Sequence, residues 1–250
     1  GGLARAYSRA VKEALDDAEP DDLIWAHSGT FEESVTIDTK NVTLYTANWE
    51  DPETDPATIR YAPESSDGTA AVEITANNSS VGELRIERIG ADNRNSKTNQ
   101  FTQGVVVRNT TGTSLEGVEV YNNTIVGNFT ADDPASSGIM VIDGNSTYSS
   151  DTNNTIVYNN TVTGFASGVA VAGYYGGTVN ATQISSNNIT GNGANVGETP
   201  VGSGVVFGTD AGSIELAAVV DNRIANNDHG VLVLGEGDKK GTLEYTDPGA

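Results

Sequence analysis

The sequence predicts an all-β fold, a right-handed parallel β-helix, with an amphipathic helix capping its N-terminal end. Two recurring patterns and their two-residue alternation carry this prediction. A glycine followed by an apolar run appears as Gly104-Val105-Val106-Val107, Gly138-Ile139-Met140-Val141, Gly168-Val169-Ala170-Val171, Gly204-Val205-Val206-Phe207 and Gly230-Val231-Leu232-Val233. Between these copies runs a second pattern: Val120-Tyr121-Asn122-Asn123-Thr124-Ile125, Val157-Tyr158-Asn159-Asn160-Thr161-Val162, Ile184-Ser185-Ser186-Asn187-Asn188-Ile189 and Val219-Val220-Asp221-Asn222-Arg223-Ile224. Self-similarity at such a period marks a solenoid, and alternation makes its elements strands. Strands this short cannot bury a face alone; stacked coil on coil they enclose a continuous core. Right-handedness follows from the bias of parallel β crossovers.

Each element follows in chain order. Leu3, Tyr7, Ala10, Val11, Ala14, Leu15 and Ala18 give one apolar helical stripe, and Pro20 ends it. Residues 1–20 are therefore the expected cap and 21–250 the solenoid, one domain together, since the first coil otherwise exposes core and unpaired strand edges. A membrane-surface role is poorly matched, because the polar face carries Glu13, Asp16, Asp17 and Glu19. Short alternating strands follow, Asp22 to Ile37 around Gly29, then Val42-Thr43-Leu44-Tyr45. Asn48 to Pro56 is an acidic, proline-punctuated loop and Asn93 to Gln100 a polar one.

With Ala10-Val11-Lys12-Glu13-Ala14-Leu15 before it, the segment Asp22-Leu23-Ile24-Trp25-Ala26-His27-Ser28-Gly29-Thr30-Phe31-Glu32 resembles the opening of parallel β-helix repeat proteins, the pectin-lyase-like or NosD-like group. Asp21-Asp22 stands where that group has Gly-Asp, Ser28 where it has Pro, and Phe31 where it has Tyr. The resemblance extends through the repeats to about Val233. It implies the fold; it does not select a function, since one architecture serves lyases, hydrolases, epimerases, adhesins and viral spikes.

Composition narrows the partners. The 250 residues carry a formal charge of -21 with very few lysines. Such a surface repels nucleic acid and anionic membranes, and it resembles that of haloarchaeal proteins. No run is long and apolar enough to span a membrane, so no direct membrane insertion is expected. No signal peptide precedes Leu3 and no initiator Met is present, so the chain reads as a mature or excised portion. Cysteine is absent, which removes disulfide and thiolate chemistry. Asn-x-Ser/Thr sequons occur at Asn41, Asn77, Asn78, Asn109, Asn122, Asn128, Asn145, Asn153, Asn159, Asn180 and Asn188. As glycan acceptors they would place the protein outside the cell or on its surface; alternatively, Asn and Thr are simply the turn and strand residues of this fold.

Alternation assigns the interior to Val105, Val107, Val120, Ile125, Val141, Val157, Val171, Ile184, Val205 and Val219. Glu119 and Tyr121 then face outward, and Tyr121 and Tyr158, one coil apart, stack on each other or on a ligand. Asn123, Asn160, Asn187 and Asn222 share one register position in a bend, which suits a ladder of amides from coil to coil. His229 aligns with Gln103, Ser137, Ser167 and Ser203, so Asp228-His229-Gly230 reads as a turn despite its likeness to a polygalacturonase element. His27 has no metal-ligand partner at i+2 or i+4. The group's stronger catalytic signatures are absent: no Asn-Thr-Asp, no Arg-x-Pro-x-x-Arg, no Asp-Pro-His-Glu.

Chemistry is therefore sought in the loops. Those following the glycine-initiated strands bring Asp143, Tyr148, Asp151, Tyr174, Tyr175 and Asp210 to neighbouring levels of one side. Tyrosine rings stack on the apolar face of a pyranose while carboxylates accept its hydroxyl hydrogens, so these six are the expected contacts to an extracellular or surface polysaccharide. A second loop set adds Phe129, Asp132, Asp133 and Glu198. Clustered loop aspartates also match the hard-oxygen preference of Ca²⁺, although no calcium-binding loop sequence is present, and no other cofactor is expected. The expected function is a non-catalytic carbohydrate-interacting module. The alternatives are a polysaccharide lyase or hydrolase using Asp132 with Asp133 or Asp143 with Asp210 as acid and base, and a structural surface-layer or spike domain.

Overall fold

The computed structural model describes residues 3–6, 10–46, 56–62, 70–89, 102–128, 136–193, 195–196, 199–200 and 202–235. It is a right-handed parallel β-helix built from three long sheets and one short one. Sheet A contains Leu3–Ala6, Leu23–Ala26, Thr43–Thr46, Ser80–Gly82, Glu119–Tyr121, Ile156–Tyr158, Gln183–Ser185 and Ala218–Val220. Sheet B contains Thr30–Glu32, Thr58–Tyr61, Arg85–Arg88, Thr124–Gly127, Thr161–Thr163, Asn188–Thr190 and Arg223–Ala225. Sheet C contains Val35–Ile37, Val72–Ile74, Thr102–Arg108, Ser136–Ile142, Ser167–Gly173, Ser203–Thr209 and His229–Gly235. Sheet D, found among the described residues from the third coil onward, contains Leu115–Glu116, Thr152–Asn153, Thr178–Asn180 and Ser213–Glu215. The chain passes from C through D to A and B, then returns to C, and every pairing between successive coils is parallel.

The interior forms because one residue type recurs at one register. Val105, Ile139, Val169 and Val205 stack in one column of sheet C and Val107, Val141, Val171 and Phe207 in the next. Val120, Val157 and Ile184 do the same in sheet A, and Ile125, Val162 and Ile189 in sheet B. All are buried in one continuous core. Of the predicted interior residues only Val219 is partly exposed, since among the described residues its strand is paired on one side only. The register predicted for His229 is also found: Gln103, Ser137, Ser167, Ser203 and His229 are successive partners in sheet C.

The N-terminal cap is smaller than its sequence pattern. Helix α1 spans Val11–Asp16, with Val11 and Leu15 buried, while Leu3–Ala6 is a strand paired with Leu23–Ala26. Four residues, Leu-Ala-Arg-Ala, are too few to separate a strand from a helical stripe, and the open edge of sheet A supplies backbone partners that a helix could not use. Tyr7 lies outside the described residues.

Asparagine shapes the bend from sheet A to sheet B. Asn123 donates its amide to Asn160 Oδ1 at 3.1 Å, Asn160 to Asn187 at 3.0 Å, and Asn187 to Asn222 at 2.9 Å. Each Oδ1 also accepts the backbone N–H of the preceding ladder residue, at 3.0, 2.9 and 2.8 Å. Leu84 N–H, at 3.1 Å from Asn123 Oδ1, ends the column. A second, shorter column follows sheet B: Asn192 donates to Asn227 Oδ1 at 3.1 Å, and Phe165 N–H donates to Asn192 Oδ1 at 3.2 Å. Phe165, 1% exposed, takes the ladder position in its own coil and fills it with a ring.

This bend also explains two of the sequons. Asn122 and Asn159 hold left-handed turns at φ 54° and 55°, the ladder Asn follows, and a strand Thr comes next. A left-handed residue, a buried amide and a β-branched strand residue in series spell Asn-Asn-Thr for structural reasons alone.

Candidate functional site

The loops between sheets C and D stack on one edge of the coil, and one carboxylate organises them. Asp143 is fully buried. Its Oδ1 accepts Tyr174 N–H at 2.6 Å, and its Oδ2 accepts Tyr175 N–H at 3.0 Å and Gly177 N–H at 2.9 Å. The carboxylate thus captures three backbone donors of the next coil's turn, which would otherwise stand unpaired as the strand ends. Glycine permits the close approach above it: a Cβ on Gly212 would lie 2.3 Å from Asp143 Oδ2, and one on Gly177 2.3 Å from Ser150 O. Asp151 performs a lesser version of the same task, accepting Thr178 N–H at 2.9 Å.

The tyrosines ride on this frame. Tyr148 is 45% exposed, in a turn held by Asn145 Oδ1, which accepts Tyr148 N–H at 2.9 Å. Its ring lies beside Gly112 of the preceding coil's loop, and Ser149 next to it lies beside Gly176 of the following one. Tyr174 and Tyr175 are half-buried and pack over an apolar strip on the outer face of sheet C, formed by Val106, Met140, Ile142, Ala170 and Ala172. Tyr174 reaches the next coil, where its Oη leaves no room for a Cβ on Gly208. Burial pushes the Tyr174 phenol up, and the charges of Asp210 and Asp143 push the same way. Asp210 itself is exposed, and its N–H donates to Gly173 O at 3.0 Å.

Tyr148, Tyr174, Tyr175, Asp151 and Asp210 thus belong to one edge, built by three successive loops. Asp143 lies beneath that edge and not on its surface. Burial pushes the Asp143 carboxyl up, while the N–H groups of Tyr174, Tyr175 and Gly177 pull it down. A raised carboxyl is one requirement of a general acid; access to substrate is the other, and Asp143 has no exposed atoms. Protonating it would also set an O–H against backbone N–H donors. Its geometry is that of a positioning residue. Phe129, Asp132, Asp133 and Glu198 lie outside the described residues. Among the described residues, no group of three or more His, Cys, Asp or Glu side chains is placed to hold a metal ion, and no helix is long and apolar enough to cross a membrane.

A second surface lies on sheet A. Tyr121 and Tyr158 stack on each other at 5.4 Å between centroids and 13° between planes, and Trp25 meets Tyr45 edge to face at 5.6 Å. The Tyr121–Tyr158 contact follows from period-two alternation and parallel register. The continuity with Tyr45 and Trp25 was hidden by Gly82, which stands between them in the column.

No family model and no curated protein matches this chain. Solved structures do resemble it in fold. The Escherichia coli protein YbhC aligns with a TM-score of 0.48 at 13% identity, over 94% of this chain and 72% of that one. A rice weevil pectin methyl esterase aligns at 0.44 and 9% identity, over 85% and 62%. An alginate lyase from Paenibacillus sp. FPU-7 aligns at 0.41 and 13% identity, over 93% and 98%. These likenesses concern the fold alone.

Proposed function

We propose that the protein is an extracellular or cell-surface module that binds a polysaccharide along the loop edge without cleaving it. The observation that carries this reading is the Asp143 carboxylate beneath Tyr174, Tyr175 and Gly177, which fixes an aromatic loop beside the exposed Tyr148. Rings held in place before the ligand arrives lose little freedom on binding, and a pyranose offers them an apolar face. Asp151 and Asp210 then accept sugar hydroxyls at the rim. Non-catalytic action is supported by the role of Asp143: the carboxyl that burial pushes up is enclosed, with both oxygens already engaged.

Tyr148→Ala is the cleaner test of the edge. Tyr174→Ala would confound binding with folding, because Tyr174 covers the apolar strip of sheet C and its removal would unsettle the loop. On a glycan array, wild type should bind a defined polysaccharide, and Tyr148→Ala should weaken it about tenfold, the scale of one lost aromatic contact. Product analysis of the same glycan should show no shortening. Chain cleavage abolished by Asp210→Asn would convert the module into an enzyme.

A high-salt habitat is part of this reading. With a net charge of -21, carboxylates repel one another over a Debye length of about 10 Å at 0.1 M salt and about 3 Å at 1 M. The melting temperature should therefore climb from low to molar KCl; a flat or falling curve would speak against a halophilic origin.

A further inference from the structure

The corner between sheets A and B carries a second recessed surface, on a different side of the coil from the loop edge. Directly after the stacked Tyr121 and Tyr158, the left-handed Asn122 and Asn159 turn the chain toward sheet B. With Pro56, Glu83, Thr124 and Thr161 they line a groove of about 440 Å³, within the usual size of a ligand pocket. The ring of Tyr121 leans over Gly82, where a Cβ would sit 2.3 Å from its Cε2, so the aromatic wall extends toward Tyr45.

The state of the polar groups in this groove separates it from the other tight corner of the coil. Where the chain enters sheet A, left-handed asparagines spend their amides on their neighbours. Asn41 donates to Asp21 at 2.6 Å, Asn78 to Asn41 at 3.2 Å and Asn154 to Glu116 at 3.0 Å. Among the described residues, the side-chain amides of Asn122 and Asn159 have no such partner, and the hydroxyls of Thr124 and Thr161 have none. The groove therefore presents amides and hydroxyls repeated at the coil spacing, about 4.8 Å, one residue along the chain from the stacked Tyr121 and Tyr158. That repeat is close to the length of one pyranose unit.

We propose that this groove is a saccharide site for a neutral or amino-sugar oligosaccharide lying along the solenoid axis. The amides of Asn122 and Asn159 each offer a donor and an acceptor, the pairing that vicinal sugar hydroxyls require. Pro56 and Leu84 supply apolar lining, and a sugar chain longer than the groove would reach the adjoining Tyr121–Tyr158 pair. Charge sets the class: Glu83 acts on Tyr121, Tyr158 and Tyr45, and Glu119 on Tyr121 and Tyr158, so the wall is bordered by carboxylates. Uronates and sulfated sugars are repelled there, while a protonated amino sugar is attracted. The site does not depend on the loop edge.

The test is calorimetric titration of the whole chain with four probes: tetramers of glucose, N-acetylglucosamine, glucosamine and galacturonate. Wild type should bind at least one of the first three and bind galacturonate least. The double variant Asn122→Gly/Asn159→Gly removes both amides while glycine keeps the left-handed turns, so it should melt close to wild type and bind at least tenfold more weakly. Glu83→Gln should narrow the gap between glucosamine and galacturonate. Affinity that survives Tyr148→Ala but is lost in the double glycine variant belongs to this groove. The proposal is overturned if no tetramer binds at millimolar concentration, if galacturonate binds best, or if the double glycine variant binds like wild type. Loss of binding in Tyr148→Ala with retention in the double glycine variant would place the sugar on the loop edge and equally overturn this site.

Discussion

Two edges of the same coil meet the same demand in opposite ways. At the corner from sheet A to sheet B, backbone and side-chain donors are satisfied by one residue type repeated coil after coil, Asn123, Asn160, Asn187 and Asn222. At the edge from sheet C to sheet D, a single Asp143 gathers three N–H groups of one turn, and no other coil repeats the arrangement among the described residues. A ladder distributes its load and tolerates no change of register. A lone anchor lets neighbouring loops differ in length and sequence, and it is there that tyrosines and carboxylates collect. Repetition builds the scaffold, and departure from repetition builds the surface that differs from coil to coil.

The largest effect expected is at the ladder. Asn160→Leu removes the acceptor for Asn123 N–H and Nδ2 and the donor to Val120 O, Tyr158 O and Asn187 Oδ1. Asn160 is 1% exposed, so water cannot replace these partners. With each unsatisfied buried group costing about 1–3 kcal/mol and some relaxation of the bend, a loss of about 3 kcal/mol is expected in denaturant unfolding. Melting unchanged from wild type would mean that the ladder carries no load and that the contrast between the edges is false.

The loop anchor should cost less and act more locally. In Asp143→Asn one oxygen still accepts, but the new NH₂ faces backbone donors, so about 2 kcal/mol should be lost. Because the effect is confined to the loops, the amides of Tyr174, Tyr175 and Gly177 should exchange hydrogen faster while those of the ladder stay protected. Uniform loss of protection across both edges would show that they are not independent.

The same contrast explains what could be read from the sequence. Strand register, the buried valine columns and the first Asn column were legible because each is written several times. The second column is less legible: Asn192 and Asn227 are there, each behind a left-handed Gly191 or Asn226, but the preceding coil has Phe165 at that position. The N-terminal stripe is ambiguous at Leu3–Ala6, a segment about one helical turn long and too short to distinguish a strand from a helix. The loop residues lie on one edge, since loops at one register must stack, yet which of them face solvent depends on a single unrepeated hydrogen-bonding arrangement. Asp143 and Asp210 are both loop aspartates in sequence; one is enclosed and the other exposed. Only the positions of Gly177 and Gly212, small residues pressed against Asp143 and Ser150, could have hinted at the difference.

The smallest effect expected concerns the tyrosines of the two edges in alkali. On the ladder side the Tyr121 phenol is pushed up to about 12, first by burial and then by Glu83, Tyr158 and Glu119, and Tyr158 is raised by burial and Glu119. On the loop edge Tyr174 is raised by burial and Asp210, while Tyr175 is raised by burial against the pull of Arg108. A phenol raised in the folded state is neutral there when the unfolded chain already ionises. Stability from these groups is therefore full below pH 10, the ordinary tyrosine value, and falls as pH rises through the folded value, near 12 for Tyr121. Absorbance at the tyrosinate band should rise late, with unfolding and ionisation coupled above pH 10. Tyr121→Phe keeps the stacked ring and removes the phenol, so it should make stability less sensitive to pH in that window while leaving neutral-pH melting nearly unchanged. If Tyr121→Phe steepened the alkaline loss, or if wild type titrated as free tyrosine, the ring wall beside the ladder would be as open to water as the rim of the loop edge.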